Sequence, residues 1–235
     1  MEPSADSSTT SGPTKLGLFG AYLPGWQMTA AERCALLHVL RTARPEHAIE
    51  VGTADGGSLS AIASLSGQVY TLDKQEGCAE RLGGRFPNVR FLTGYSHDTL
   101  PPLVAELSAS GAALGFVLID GSHERATVRA DIEATLAYRP HACPLYILMH
   151  DCFNPACRAG IAEADWAANP HVRRVELDFV PGVLHQREDI ARQMWGGFAL
   201  AVLLPEERGE RPPKIIARQE LLFQTVRAAS AHAGE

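Results

Sequence analysis

Two groups of residues in this chain have types and spacings suited to chemistry. The first is Ile119-Asp120-Gly121-Ser122-His123, answered further on by His150-Asp151. A histidine titrates near neutral pH and can take a proton from an acceptor group during a transfer reaction. Carboxylates beside it can orient the ring, or hold a divalent cation that lowers the pKa of an acceptor hydroxyl. The second group is Glu50-Val51-Gly52-Thr53-Ala54-Asp55-Gly56-Gly57-Ser58, with Asp73 following. A Gly-rich turn lets the backbone take positive φ and lets a ligand approach without meeting a Cβ, and the N–H groups opening the next helix can face polar or anionic atoms. Asp73 lies about 20 residues further on, where a carboxylate can bind ribose hydroxyls in dinucleotide sites. Packing roles stay open as well: a strand-end acid can cap the next helix, and a histidine such as His150 can be a satisfied strand-end residue.

These residues need a frame, and the pattern supplies one. Ala48 to Val51, Val69 to Asp73, Val89 to Leu92, Gly115 to Asp120 and Leu145 to Asp151 are short apolar runs, three of them ending in an acid. Between them lie helical patterns at Ser58 to Ser66, Gln75 to Gly83, Leu100 to Ser110 and Glu124 to Ala137, then Cys157 to Ala168. Thr29 with Glu32 forms a capping box for a preceding helix that runs to about Thr42. Strands at Val172 to Phe179 and Phe198 to Leu204 complete the series. Alternation of this kind predicts an α/β fold: one doubly wound, seven-stranded, mostly parallel sheet with helices on both faces and the last strand antiparallel. In such sheets ligands bind beyond the carboxyl ends of the strands, where the strand order reverses. Asp73, Asp120 and Asp151 would converge there.

The outer segments are read as follows. Residues 1–14 are polar and Ser/Thr-rich and form a disordered tail; 15–205 form the domain; 206–235 form a charged linker and a C-terminal helix from Ile215 to Ala228, which packs on the core or on a second copy, so that a homodimer is one expectation. Tyr22 and Trp26, in an aperiodic Gly/Pro/aromatic stretch, are candidates for a flap. His185 and Trp195 lie in the Gly182 to Gly197 loop, where an acceptor pocket can be built, and Arg158 would offer a guanidinium to a carboxylate or phosphate of a substrate.

The 235 residues suit one domain with a sizeable core, and 46% hydrophobic with 20% charged residues is ordinary for a globular protein. A net charge of −6 without a basic stripe argues against a nucleic-acid surface. Five scattered cysteines with no C-x-x-C pair imply neither a disulfide framework nor a zinc site and suit a reducing cytoplasm. No apolar run reaches membrane-spanning length, and the start lacks a basic or apolar signal region. The turn departs from G-x-G-x-x-G, and neither a G-x-x-x-x-G-K-[ST] phosphate loop nor a G-x-S-x-G elbow is present.

The order Glu50, Gly52, Gly56, Gly57, Ser58 resembles the E-x-G-x-x-x-G-G-S turn of class I S-adenosylmethionine-dependent methyltransferases, which have a Rossmann-like fold. Asp120-Gly121-Ser122-His123, then Asp131-Ile132, then His150-Asp151 resemble blocks of a subfamily that includes sugar and macrolide O-methyltransferases and cephalosporin hydroxylase-like proteins. Over roughly Gly25 to Pro205 this resemblance implies S-adenosylmethionine bound by Glu50, Gly52, Gly56, Gly57, Ser58, Asp73, Gly94, Tyr95, Ser96 and Asp120. It implies His123 as general base with Asp120 and Asp151 beside it, and in metal-dependent members Asp120 and Asp151 bind a divalent cation such as Mg²⁺. His150 would face the small-molecule substrate with Tyr22, Trp26, Arg158 and His185. Some relatives carry two adjacent acids where this chain has His150-Asp151, which leaves fewer oxygen ligands for a hard cation. A hydroxyl of a sugar or specialised metabolite is the expected acceptor. The same cofactor site is also open to ring closure or transfer of the aminobutyrate arm with release of methylthioadenosine, or to a non-catalytic binding or accessory role.

Overall fold

The computed structural model describes residues 26–186 and 188–233. Helix α1 (Ala30–Ala43) opens with the full capping box, the Thr29 hydroxyl accepting from Glu32 N–H and the Glu32 carboxylate accepting from Thr29 N–H. Strand β1 (His47–Val51), α2 (Gly57–Leu65), β2 (Gln68–Asp73), α3 (Cys78–Leu82) and β3 (Val89–Thr93) follow. Next come α4 (Ser96–Ser110), β4 (Leu114–Ile119), α5 (Arg125–Thr135), β5 (Leu145–His150) and α6 (Pro155–Glu163). The chain then runs through β6 (Val172–Val180), a hairpin of β7 (Val183–Leu184) and β8 (Met194–Trp195), β9 (Phe198–Leu203), β10 (Lys214–Ile216) and α7 (Glu220–Ala229).

The main sheet has the order β10-β6-β9-β5-β4-β1-β2-β3. From β1 the chain steps outward to β2 and β3, then returns to place β4 on the other side of β1, so the order reverses between β1 and β4. Side-chain alternation builds the two faces. Ile49, Val51, Val117, Ile119, Ile147 and Met149 point toward α4, α5 and α6, and are packed with Leu103, Val128, Ile132 and Ile161. Their neighbours Ala48, Phe116, Leu118 and Leu148 point the other way, against Leu36, Leu40, Leu59 and Ile62 of α1 and α2. Both faces of the parallel strands are therefore covered, as their unbroken apolar sequences require.

Among the described residues the sheet has eight strands, not the seven expected. Ile215 was expected to open the terminal helix, but Lys214–Ile216 pairs in parallel with β6 as the outermost strand. Three residues cannot show a period, and α7 begins only after them. Strand β9 is the antiparallel one, between β5 and β6. Helix α4 starts a turn earlier than proline rules suggest, because the Tyr95 carbonyl accepts from Asp98 and Thr99 N–H at 3.1 Å each and the helix continues through Pro101 and Pro102. Helix α6 starts at Pro155, where the Asn154 side chain caps Ala156 and Cys157 N–H at 3.0 and 3.3 Å. Among the described residues no helix is long and apolar enough to cross a membrane.

Candidate active site

At the carboxyl ends of β1 and β4 the two strands come so close that only glycine fits. A Cβ on Gly52, whose φ is +96°, would stand 2.2 Å from the Asp120 carbonyl oxygen, and one on Gly121 would meet a Val51 methyl at 2.9 Å. Gly56, at φ +79°, ends the turn and opens α2. Behind the turn sits Glu50, wholly buried. Its carboxyl accepts from Ser58 Oγ and from Thr71 Oγ1, each at 2.6 Å, and the Thr71 hydroxyl is shared with that of Thr53 at 2.6 Å. Burial pushes Glu50 up to about 8 against the pull of the Ser58 and Thr71 bonds, with the charges of Asp120 and Asp73 adding to the rise. Glu50 is thus a turn-holding acid rather than a cavity wall.

Asp73 faces the turn from the end of β2. Its Oδ2 accepts from the Thr53 and Ala54 N–H groups at 3.0 and 2.9 Å, and its Oδ1 from Gln75 N–H at 2.8 Å. A cavity of about 430 Å³ opens here, lined by Gly52, Asp73, Gly94, Tyr95, Ser96 and Asp120 among others. Glu50, Gly56, Gly57 and Ser58 are not among the residues that line it. Asp131 is buried on α5, and burial raises it to about 6 against the opposing pull of Ser96 at the start of α4.

Next to this cavity the acid–base residues form one cluster. His123 Nε2 is 3.0 Å from Asp151 Oδ2. His150 Nδ1 is 3.0 Å from Asp120 Oδ1 and 3.4 Å from Asp151 Oδ2, while its Nε2 is 3.0 Å from Glu32 Oε1. Asp151 has a φ of +55°, uncommon for a residue with a side chain. It is over-determined there: Asn154 N–H donates to its carbonyl at 2.8 Å, and Gly196 N–H donates to its Oδ1 at 2.6 Å. Burial opposes the charge on Asp151, but the His123 and His150 hydrogen bonds hold its carboxyl far below the usual range. The same Asp151 bond raises His123 above its ordinary value against a smaller effect of burial.

Not every expected residue reaches this place. Arg158 is a correction: its guanidinium is buried on α6, held by Asp178 Oδ1 at 2.8 Å and Glu220 Oε2 at 2.7 Å, and covered by the Phe223 ring at 4.3 Å, so it fastens α7 rather than awaiting an anion. Trp26 packs against the α1/α2 side of the core and under the Arg33 guanidinium, 5.4 Å from its ring centre. Tyr22 lies outside the described residues. His185 is fixed in the hairpin by backbone bonds to Arg192 and Gln193, and among the described residues no hydrogen bond links its ring to the cluster. Its loop companion Trp195 does arrive, edge-on to the His123 ring at 4.8 Å between centres. Glu32 and the pair Gly196-Gly197 are site residues that sequence reasoning missed. The capping box explains one Glu32 oxygen only, and the Gly-Gly pair in the loop, at φ +75° and +79°, was the one visible sign of a constrained turn.

Residues 49–152 match a family model described as a methyltransferase domain. That stretch of the chain is similar to methyltransferase domains. The match contains the turn, Asp73, Asp120, His123 and Asp151, and leaves out Glu32 and Gly196. Among solved structures the fold is similar to the O-methyltransferase of Bacillus cereus in complex with SAH, at 20% identity and a TM-score of 0.55, over 77% of this chain and 84% of that one. TomG, the O-methyltransferase of Streptomyces achromogenes involved in tomaymycin synthesis, in complex with SAM, is similar at 20% identity and a TM-score of 0.55 over 77% and 83%. MycE of the mycinamycin pathway, in complex with Mg, SAH and mycinamycin VI, is similar at 17% identity and a TM-score of 0.50 over 76% of this chain and 51% of that one. A sequence comparison with curated proteins finds no match.

Proposed function

We propose that the protein methylates a hydroxyl group of a small molecule, a sugar or another specialised metabolite, with S-adenosylmethionine as donor. The observation that carries this reading is the His123–Asp151 pair standing beside a glycine-lined cavity closed by Asp73. When bound, S-adenosylmethionine supplies an electrophilic methyl group on a sulfonium. The residues fit it: Gly52 lines the cavity at a position where a Cβ would strike the Asp120 backbone, Asp73 offers a carboxylate suited to ribose hydroxyls, and Gly94, Tyr95 and Ser96 line the same cavity. Asp151 turns Nε2 of His123 toward itself, and the other ring nitrogen, which makes no hydrogen bond among the described residues, is the one to accept the acceptor hydroxyl's proton. Trp195 fixes the plane of that ring and bounds the acceptor space. Alignment of acceptor and donor does the rest, because an in-line displacement demands little covalent work from the protein.

Proximity alone would admit a cation, since ligand atoms of Asp120, His150 and Asp151 lie within 4.8 Å of one another. Their chemistry fits Mg²⁺ poorly. Asp120 Oδ1 and Asp151 Oδ2 already face imidazole nitrogens and Asp151 Oδ1 accepts from Gly196 N–H, whereas Mg²⁺ wants near-octahedral oxygen coordination. No step is therefore assigned to a metal. Five free cysteines suit a reducing compartment, and we place the activity in the cytoplasm.

The test is to incubate the protein with S-adenosylmethionine, alone and with hydroxylated acceptors, and to identify the adenosine product. S-adenosylhomocysteine formed only with an acceptor is the expected result. Methylthioadenosine formed without one would replace methyl transfer by chemistry on the aminobutyrate arm.

A further inference from the structure

We propose that α7 is a clamp for the acceptor side of the site: it fixes the β7–β8 hairpin and with it Trp195, so that Phe223 and Glu220 are positioning residues although neither lines the cavity. The inference rests on the reading of Trp195 as a boundary of the acceptor space. The hairpin cannot hold itself. Its strands pair over two residues each, Val183 with Trp195 and Leu184 with Met194, and a two-stranded hairpin alone is at best marginally stable in water. What it buries decides its order. Met194 is wholly buried in a small core with Phe153 and Phe223, edged by Leu184 and Val226 and separate from the cores on the two faces of the sheet. The Phe153 and Phe223 rings meet edge to face with 5.5 Å between centres. Phe153, in the turn after β5, also donates its N–H to the Gly196 carbonyl at 3.1 Å. Phe223 and Val226 thus bring α7 into the same core as Leu184 and Met194 of the hairpin.

Helix α7 is itself tied at both ends. At its start, Asp178 of β6 accepts from Gln219 N–H at 3.0 Å through Oδ2 and from Arg158 at 2.8 Å through Oδ1, and Arg158 reaches on to Glu220 at 2.7 Å. The guanidinium lies over the Phe223 ring, 4.3 Å from its centre, so the charged network and the small core share one residue. At its end the helix meets the hairpin directly. Ala231 N–H donates to the Arg192 carbonyl at 2.7 Å, and the Arg192 guanidinium donates to the Ala229 carbonyl at 3.1 Å. Arg192 has a φ of +62°, and its N–H donates to the His185 carbonyl at 2.8 Å. A residue with a side chain persists in that region only where its surroundings over-determine it, and here the end of α7 supplies two of the bonds. Trp195 takes its place from this frame. Its Nε1–H donates to Gln193 Oε1 at 2.8 Å, and its ring stands edge-on to His123. A fixed hairpin holds the indole there; a loose one would let it leave the imidazole.

The experiment uses the full chain. Amide hydrogen exchange read by mass spectrometry follows β7 and β8 against β1 and β2, and the indole N–H signal of Trp195, assigned with Trp195→Phe in protein carrying isotope-labelled tryptophan, reports its surroundings. In Phe223→Ala, exchange in β7 and β8 is expected to quicken about tenfold or more with β1 and β2 unchanged, and the indole signal to shift or broaden. Phe223→Leu refills the core and should restore both. Glu220→Ala changes a half-exposed residue and should act in the same direction more weakly; it decides the matter if Phe223→Ala does not fold. Affinity for S-adenosylhomocysteine, measured by calorimetry, should be the same in all of them. Equal quickening in β1 and β2, with a matching loss of that affinity, would reduce Phe223 to general stability. An unmoved indole signal in a protein whose α7 exchanges faster would detach the helix from Trp195. Either result overturns the proposal. Exchange and indole signal need neither acceptor nor turnover, so a wild type that released methylthioadenosine would overturn the methyl-transfer reading and leave the clamp to be decided by these two measurements.

Discussion

The two walls of the site are built in different ways. The wall proposed to hold the cofactor is nearly self-contained: Glu50, Thr53, Ser58, Thr71 and Asp73 bond to one another across separations of 8 to 21 residues, all within one strand–turn–helix–strand unit. The acid–base wall is assembled from afar, with Glu32 reaching His150 across 118 residues and Gly197 across 165. A local unit keeps its geometry when distant parts of the chain change, whereas a composite one depends on every element that contributes. The first wall is therefore expected to tolerate substitutions in α1 or the β8–β9 turn, and the second is not.

The largest separation between the two walls is expected from their central residues. His123→Ala should lower kcat by about 10²- to 10⁴-fold, the usual contribution of a positioned general base, while leaving S-adenosylmethionine affinity unchanged. Asp73→Ala should do the reverse. Its carboxylate holds three N–H groups at the mouth of the cavity, and loss of charge-assisted bonds worth about 1.5–3 kcal/mol would weaken cofactor binding by about 10- to 100-fold. Isothermal titration with the cofactor and turnover at saturating cofactor separate the two effects. If His123→Ala weakened cofactor binding as much as Asp73→Ala, the division into walls would be wrong.

Asp151→Asn sharpens the second wall. The Asp151 bond raises His123, and a general base must be unprotonated, so wild-type activity should rise with pH through a value above the ordinary histidine range. Without the carboxylate the ring protonates less readily, and the acid limb of the kcat profile should move to lower pH even as the plateau falls. An unmoved limb would detach Asp151 from the base.

This contrast also explains what could be read in the sequence. Each strand of the first wall is a compact apolar run, so the positions of Gly52 and Asp73 at the strand ends were legible from pattern alone. The sheet was legible for the same reason, apart from Lys214–Ile216, which is too short to show a period. Glu32 was legible only as a helix cap, since nothing near it in the chain announces His150. Arg158 shows the opposite error: the residue sits just after Asp151, but α6 carries its side chain to Asp178 and Glu220, partners 20 and 62 residues on. Residue type and nearness in sequence suggest a role, and helix direction decides whether the side chain reaches the site.

Gly196→Ala tests the composite wall at its outer edge. The new Cβ would crowd Glu32 Oε1 at 2.7 Å and the residue would keep a positive φ of +75°, so a cost of about 1–3 kcal/mol is expected, seen as a lower Tm. Turnover should fall with it, because Gly196 N–H also holds Asp151, while cofactor affinity should not change.

The smallest effect is expected in the first wall, from Glu50→Gln, and its sign is set by burial. Glu50 ionises only near pH 8 in the folded protein against 4.5 ordinarily, so the folded state favours the protonated acid. That stabilisation is complete below about pH 4.5 and is lost progressively as pH rises toward 8. Glutamine keeps the shape and an acceptor for Ser58 and carries no such proton. The Tm difference between variant and wild type should therefore drift in favour of the variant from pH 5 to pH 9, with only a minor change near pH 5, where both side chains are neutral in the folded state. A difference that stayed flat over this range would mean that Glu50 is ionised in the folded protein, and that its hydroxyl partners, Ser58 and Thr71, offset the cost of burying the charge.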